Sequence, residues 1–430
     1  MAARIISQTN GELTIQVKVS LKGSMLESEQ SIIESINEVG MLATGEALKQ
    51  FDTDGSPIVM GDIKLTARCN SGKTYQTPYG AVHIERHVYQ SSKGGKIYVP
   101  LESGARIIQG ASPRFAKMIS HKYSSLAAPS VIDDLAENHD RKLSIAYLQK
   151  VTDYVGTIAQ AKEERWDYEP PKLDKAIITI GISLDGAYVL TVNDGYREAM
   201  VGTISLYDSE GERQDTIYVA ASPEYGKEHF FAKFEREISQ SKARYPDAQT
   251  IGVADGAKNN WAFLAAHTTR QILDYWHATE YLSEASHAVF PNKGDNATRE
   301  MWLEQQCHNL KHKQGAAGRI LEALRQCSEK RLSPALREKL DATISYFKNN
   351  IAGGRMKYHI HTKNNFPIGS GVVEAACKTI IKQRLGASAM RWKSEGIKMI
   401  LSLRTLVKTK GRWNQFWDKI NFSGVPVVGQ

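Results

Sequence analysis

Glu374 stands in the first turn of a stretch that reads as a tight glycine loop feeding a helix, Ile368-Gly-Ser-Gly-Val-Val-Glu-Ala-Ala-Cys-Lys-Thr-Ile-Ile-Lys-Gln-Arg-Leu385. Val373, Cys377, Ile380 and Ile381 fall at steps of three and four and can share one apolar face. Lys378 and Lys382 follow Glu374 at i+4 and i+8, which predicts one carboxylate and two ammonium groups on a single stripe. Such a stripe is either an ordinary solvated face or a metal-binding carboxylate beside phosphate-binding lysines. Two further carboxylates bear on the choice. Asp185 and Asp255 each follow a short apolar run, Lys175–Leu184 and Thr250–Ala254, and each precedes a glycine. Strand ends on one edge of a sheet converge, so a helix packed across that edge would bring Glu374 to the two aspartates. Three acidic groups at one place repel unless cations neutralise them. Hard oxygen ligands select Mg²⁺ or Mn²⁺. Two such ions, about 3.5–4 Å apart, clamp an in-line phosphoryl displacement. Asp274 also follows a short strand signal, Gln271–Leu273, and is the rival for the second position. Asp-Gly is also a common turn dipeptide, as in Asp54-Gly55 and Asp194-Gly195.

The elements that must position these groups are legible as an α/β pattern with a mixed sheet. Strand signals at Lys175–Leu184, Ala187–Asn193, Met200–Leu206 and Thr216–Ala221 resemble an antiparallel meander, with the first strand ending at Asp185-Gly186. A helix over Glu228–Arg244 and alternating short strands and helices follow to Tyr275. From about Glu284 to Asn350 the chain is helical and polar, an insertion before the Glu374 helix. Residues 391–419 read as basic helices bearing Trp392, Trp413, Phe416 and Trp417.

The 430 residues are too many for one ordinary domain. The net charge of +8 is unevenly placed: between Arg355 and Arg412 thirteen basic residues face two acidic ones, so the remainder is net −3. A polyanionic partner is expected at the C-terminal region. No apolar run approaches transmembrane length, no amphipathic anchor adjoins the basic region and no signal pattern opens the chain, so neither membrane association nor export is expected. Cys69, Cys307, Cys327 and Cys377 form no paired motif, which suits a reduced, cytoplasmic setting.

The N-terminal third carries other signals. An alternating strand spans Leu13–Val19. A helix over about Glu27–Phe51 has Ile32, Ile33, Ile36 and Val39 as its stripe, with Gly40 and Gly45 predicted to break it. Residues 56–102 suggest a small β unit with strands near Ile58–Ala67, Gly80–Gln90 and Lys96–Pro100, and turns at Ser71-Gly72 and Gly94-Gly95. Cys69 with His83 and His87 is one ligand short of a structural zinc site, so no zinc is expected. Residues 113–167 are helical. Pro129 and Ser130 open a short helix, and Ser144 caps a long one from Ile145. This pair fits a helix-turn-helix or a plain helical hairpin. The organisation is then a degenerate zinc-ribbon-like α+β region at 1–110, a helical DNA-binding region at 111–170, an α/β domain at 171–283 and 357–420 interrupted by helices at 284–356, and a tail at 421–430.

The segments Ser183-Leu-Asp-Gly186, Val253-Ala-Asp-Gly-Ala257, Leu273-Asp-Tyr-Trp-His277 and Gly369-Ser-Gly-Val-Val-Glu-Ala-Ala-Cys-Lys378, with Gln383-Arg-Leu385 and Met390-Arg-Trp392, resemble the bacterial insertion-sequence transposases of the ISKra type. These are relatives of the Mutator-like DDE transposases. The resemblance covers roughly residues 56–412. It implies an RNase H-like catalytic domain with a helical insertion, and a metal-binding catalytic triad of Asp185, Asp255 and Glu374. It implies two Mg²⁺ or Mn²⁺ ions, with Asp185 bridging both. Asp274 and His277 are similar to an accessory element of the wider group. Family members commonly carry paired cysteines in the N-terminal β unit, where this chain has Cys69 alone.

The expected activity is cleavage of transposon ends and their joining to target DNA, by a homo-oligomer on double-stranded DNA. Lys378, Lys382 and Arg384 are expected on phosphates, and Arg391 and Trp392 on phosphate and base. A metal-dependent nuclease without strand transfer and a non-catalytic DNA-binding protein are the competing expectations.

Overall fold

The computed structural model describes residues 3–163, 165–224, 227–327, 332–388 and 390–424. The tail expected from residue 421 lies, from residue 425 on, outside them. The chain divides into two compact units: residues 1–166 with 402–407 and 413–430, and residues 167–401 with 408–412.

In the first unit, β1 (Ala3–Thr9) and β2 (Glu12–Val17) form an antiparallel pair. Helix α1 (Met25–Lys49) begins at Ser24, whose hydroxyl accepts the Glu27 N–H at 3.2 Å. Gly40 and Gly45 do not break it. Their bare faces let α1 approach its neighbours: a Cβ on Gly40 would lie 2.3 Å from the Tyr79 ring, and one on Gly45 would lie 3.3 Å from Val82. The close face is therefore the one with small residues, and Ile33 and Ile36 of the expected apolar stripe stay exposed.

A four-stranded antiparallel sheet follows, β3 (Ile58–Met60), β4 (Ile63–Gln76), β5 (Ala81–Ser91) and β6 (Gly94–Tyr98), in that order. The turn expected at Ser71-Gly72 is instead strand interior: Gly72 pairs with Glu85, and its missing Cβ leaves room for the His83 and Glu85 side chains. Helices α2 (Pro100–Gly104), α3 (Pro113–Ser125), α4 (Ala128–His139) and α5 (Ile145–Lys162) complete the region. Asp140 ends α4 in a left-handed conformation, φ 50°, and the Ser144 hydroxyl caps α5 by accepting the Tyr147 N–H at 3.1 Å.

The second unit is built on a five-stranded sheet in the order β11-β10-β7-β8-β9. Its strands are β7 (Thr179–Leu190), β8 (Tyr196–Tyr207), β9 (Arg213–Ala221), β10 (Gln249–Ala254) and β11 (Arg270–Leu273). β8 runs antiparallel to both β7 and β9, while β10 runs parallel to both β7 and β11. The run Thr179–Leu184 is wholly buried, as a strand covered on both faces must be. Helix α6 (Glu228–Arg244) packs on β8 and β9, and α7 (Lys258–His267) packs on β10, β11 and β7.

After β11 come α8 (Tyr275–Val289), α9 (Asn296–His312), α10 (Ala316–Cys327) and α11 (Pro334–Ala352), then the short α12 (Tyr358–Lys363). The chain returns to the sheet with α13 (Gly371–Ala376), a π-helical turn (Cys377–Lys382) and α14 (Gln383–Leu385). The expected single regular helix is thus α, then π, then α. Val373, Cys377, Ile380 and Ile381 are buried as the apolar face. Helices α15 (Ser394–Lys408) and α16 (Arg412–Ser423) close the chain. Among the described residues no helix is long and apolar enough to cross a membrane.

Candidate active site

Asp185 is not at a strand end. It lies inside β7, where β8 pairs along the whole length, Asp185 opposite Val201. Gly186 does not turn the chain: its lack of a Cβ admits the Glu198 side chain, whose Oε1 would otherwise be 2.3 Å away. Asp255 and Asp274 do follow strand ends. Gly252 of β10 pairs with Ile182 of β7, and Ala254 pairs with Leu273 of β11. Continuing these parallel registers sets Asp185, Asp255 and Asp274 level on three adjacent strands.

Helix α13 packs on β7 and β8 at this end of the sheet. Leu184 and Asp185 point to opposite faces by strand alternation. Leu184 pairs with Gly202, whose face meets Phe234 of α6, while Asp185 meets Cys377 beyond α13. Helices α6 and α13 therefore cover opposite faces of the sheet. Asp185, Asp255 and Glu374 line one cleft of about 400 Å³ with His277, Glu280, Ser370, Cys377 and Lys382. An adjoining cleft of about 260 Å³ shares Asp185 and Asp255 and adds Lys227, Lys258 and Asn259.

The cleft is electrostatically loaded. Burial pushes the Asp185 carboxyl above the ordinary carboxylate range, and the charges of Asp255 and Glu374 push it the same way. Two hydrogen bonds act against them, from the Gly186 N–H at 2.7 Å and the Cys377 thiol at 3.5 Å. Burial also raises the Cys377 thiol, with the Asp185 charge adding to it. The three carboxylates share the lining of this cleft, and their oxygens are of the hard donor type that divalent cations take; the donors that come within 4.8 Å of one another, among the described residues, are those of Asp274, His277 and Glu374.

Asp255 is held from the helical region that interrupts the sheet. Tyr346 of α11 donates its hydroxyl to the Asp255 carbonyl, and its ring lies over Gly256, where a Cβ would come within 2.8 Å. Tyr346 in turn stacks on Tyr281 of α8, ring centroids 3.9 Å apart. Gly256 has φ +123°, a backbone that side chains rarely adopt.

Asp274 is placed differently. Asp274, His277 and Glu374 offer ligand atoms within 4.8 Å of one another. Asp274 is 0% exposed, however, and its oxygens are engaged. Oδ1 accepts the His277 N–H at 3.0 Å, capping α8, and Oδ2 accepts from both the N–H and the hydroxyl of Ser370. The His277 ring stands beside the pair, Nδ1 3.7 Å from Asp274 Oδ1 and 3.8 Å from Glu374 Oε1.

The expected phosphate contacts separate into two groups. Lys378, Lys382 and Arg391 are exposed, and Lys382 lines the cleft. Arg384 is buried, its guanidinium 5.0 Å from the Trp392 ring centroid, so it is a packing residue rather than a surface cation. Trp392 is likewise committed. Its indole N–H donates to the Leu385 carbonyl at 3.1 Å, and its backbone pairs with the β7–β8 hairpin at Leu190 and Val192.

Ser370, Tyr346 and Cys377 had no place in the expected chemistry. Ser370 and Cys377 sit within the Glu374 motif, at steps of four and three from Glu374, which is a signal that spacing could have given. Tyr346 carries no such signal, because its contact is made across 91 residues. No protein-family model matches the sequence, and no curated protein matches it.

Proposed function

We propose that the chain is a DNA transposase that cleaves transposon ends and joins them to target DNA, with an RNase H-like domain carrying Asp185, Asp255 and Glu374 as its cation-binding triad. The observation behind this reading is the cleft itself: three carboxylates, from a strand, a strand end and a helix spread over 190 residues of sequence, line one polar pocket. The strand order supports it, since an antiparallel trio followed by two parallel strands on the first strand's other side is the arrangement an RNase H-like sheet requires. The helices α8–α11 occupy the place of the insertion that the resemblance implies.

In this reading Asp185, Asp255 and Glu374 hold Mg²⁺ or Mn²⁺. Ions bound there would supply activation of the attacking oxygen and stabilisation of the leaving one. Water attacks the scissile phosphorus and the bond to the 3′ oxygen breaks. The freed 3′-hydroxyl then attacks a target phosphodiester: its oxygen bonds to the target phosphorus, the target's own bond from phosphorus to its 3′ oxygen breaks, and that oxygen leaves as a 3′-hydroxyl. Lys382 in the cleft and Lys258 and Lys227 beside it meet the charge of the flanking phosphates, while Lys378 and Arg391 add sequence-independent affinity. The α4–α5 pair, capped at Ser144, is the element for reading the end sequence as a helix-turn-helix. The working form is a homo-oligomer on paired ends in a bacterial cytoplasm.

The test is cleavage of labelled element-end DNA with Mg²⁺ or Mn²⁺. Metal-dependent nicking and joining by the wild type, abolished in Asp185→Ala, Asp255→Ala and Glu374→Ala with DNA binding retained, is the expected result. Nicking without joining would indicate a nuclease. Tight, metal-independent binding without any nick would overturn the catalytic reading.

A further inference from the structure

We infer that Asp274 and Ser370 are positioning residues: the buried Asp274 carboxylate clamps Ser370, and the Ser370 hydroxyl fixes Glu374 at the cleft. The inference deepens the cation-site reading above and rests on it for what Glu374 does there.

Asp274 is anchored on every side. Its N–H donates to the Ala254 carbonyl at 2.9 Å, tying it to the end of β10, and the next N–H, of Tyr275, donates to the Ile368 carbonyl at 2.8 Å. The side chain takes three donors on two oxygens, from His277 and twice from Ser370. A cation ligand has to turn a lone pair to the cleft. Asp274 is fully buried and does not line the cleft, although Ser370 and Glu374 both do. Its oxygens are satisfied by N–H and O–H donors of the protein itself.

Ser370 converts that anchor into a constraint on Glu374. It precedes α13 and is 3% exposed, yet its side chain does not cap the helix in the usual way. The hydroxyl instead stands between two carboxylates, on Asp274 Oδ2 and 2.9 Å from Glu374 Oε1. It has one proton to give. When it serves Glu374, Asp274 keeps the Ser370 N–H and the His277 N–H, so neither acid is left unpaired. Glu374 is otherwise on an exposed first turn with rotamer freedom, and a bond to Oε1 restrains it and leaves Oε2 as the donor to a cation. Residues 96 apart are thereby joined at the end of the sheet. Groups that orient a ligand from behind commonly change metal affinity by about 10–100-fold when removed.

The test uses the full-length protein without DNA. Free Mn²⁺ is followed by electron paramagnetic resonance during titration of wild type, Ser370→Ala, Ser370→Thr, Asp274→Asn and Asp185→Ala. Amide hydrogen exchange over residues 370–377 is measured on the same proteins in chelator. We expect Mn²⁺ binding weakened about tenfold or more in Ser370→Ala and Asp274→Asn, restored to near wild type by Ser370→Thr, and abolished in Asp185→Ala. Exchange over 370–377 should be faster in the first two variants. Wild-type affinity in Ser370→Ala would overturn the inference, as would loss of all binding in Asp274→Asn with Ser370→Ala silent, which would make Asp274 a ligand. A wild type that binds no Mn²⁺ sinks the cation-site reading instead. In that case exchange decides the clamp, and equal protection in wild type and Ser370→Ala overturns it. Should Asp274→Asn fail to fold, Ser370→Ala, which deletes one hydroxyl, carries the decision.

Discussion

Asp185→Asn should stabilise the protein when divalent cations are absent and leave it the less stable form when they are present. Burial, and then the charges of Asp255 and Glu374, raise the Asp185 carboxyl in the folded state. The native state therefore binds this proton more tightly than the unfolded chain does. The sign follows from linkage: stability is unaffected below the unfolded value, falls as pH rises through the interval up to the folded value, and carries the full cost above it. Above the folded value the ionised Asp185 is thus a destabilising group, and an amide removes the cost. Little is lost with it. The amide oxygen can still accept the Gly186 N–H, which lies 2.7 Å from Oδ1, and the bond given up is a weak thiol donor at 3.5 Å. Cation binding reverses the order. A cation at one hundred times its dissociation constant stabilises the wild type by about 2.7 kcal/mol. For a body of this size that is about 5–11 °C in Tm, at roughly 2–4 °C per kcal/mol. The variant, short of one charged ligand, should gain far less. Thermal melts of both proteins in chelator and in Mn²⁺, at neutral pH, read the crossing directly. A variant less stable than wild type in chelator would refute the argument from burial and repulsion. Wild-type and variant melts that shift equally with Mn²⁺ would place the cation elsewhere.

Two further outcomes test the scaffold. Arg412 and Glu237 form a two-point ion pair in which each side chain is 5% exposed, so Arg412→Met, which strands a buried carboxylate, should cost about 3–5 kcal/mol in urea unfolding. The double variant Glu237→Leu with Arg412→Met should recover most of that loss; no recovery would shift the weight to the Arg412 guanidinium packed 5.5 Å from the Tyr168 ring centroid. Gly40→Ala should destabilise by about 1–3 kcal/mol through overpacking against Tyr79, although alanine favours a helix by about 1 kcal/mol. A net gain in the same assay would show that the Tyr79 ring moves aside at no cost.

What the sequence made legible was local. The 3.6-residue spacing of Val373, Cys377, Ile380 and Ile381 gave a buried helix face, and Ser144 marked the start of α5, because each signal lies within a turn or two. The mixed sheet followed from the succession of short apolar runs. Where the reading failed, the deciding contact was distant. Gly186 reads as a turn residue until Glu198 occupies the space beside it, and so β7 continues through Asp185. Gly40 and Gly45 read as helix breakers until Tyr79 and Val82 need their bare faces. Arg384 reads as one more surface cation of a basic helix, and only the fold puts it under Trp392.

The choice between Asp255 and Asp274 shows the limit most sharply. Both follow a short strand and both register level with Asp185; locally they differ in that Asp255 precedes Gly256 while Asp274 caps α8 through the His277 N–H. Separation comes from what reaches each one. Asp274 Oδ2 faces the N–H and the hydroxyl of Ser370, 96 residues away, and the residue is fully buried. Asp255 is held by its carbonyl, through Tyr346 91 residues away, and that grip leaves the carboxylate in the cleft. Asp274 is held through both its backbone N–H and its side chain, whereas Asp255 is held through its carbonyl, with its Oδ1 accepting the Ala257 N–H at 3.3 Å. That difference leaves Asp255 lining the cleft and Asp274 fully buried outside its lining.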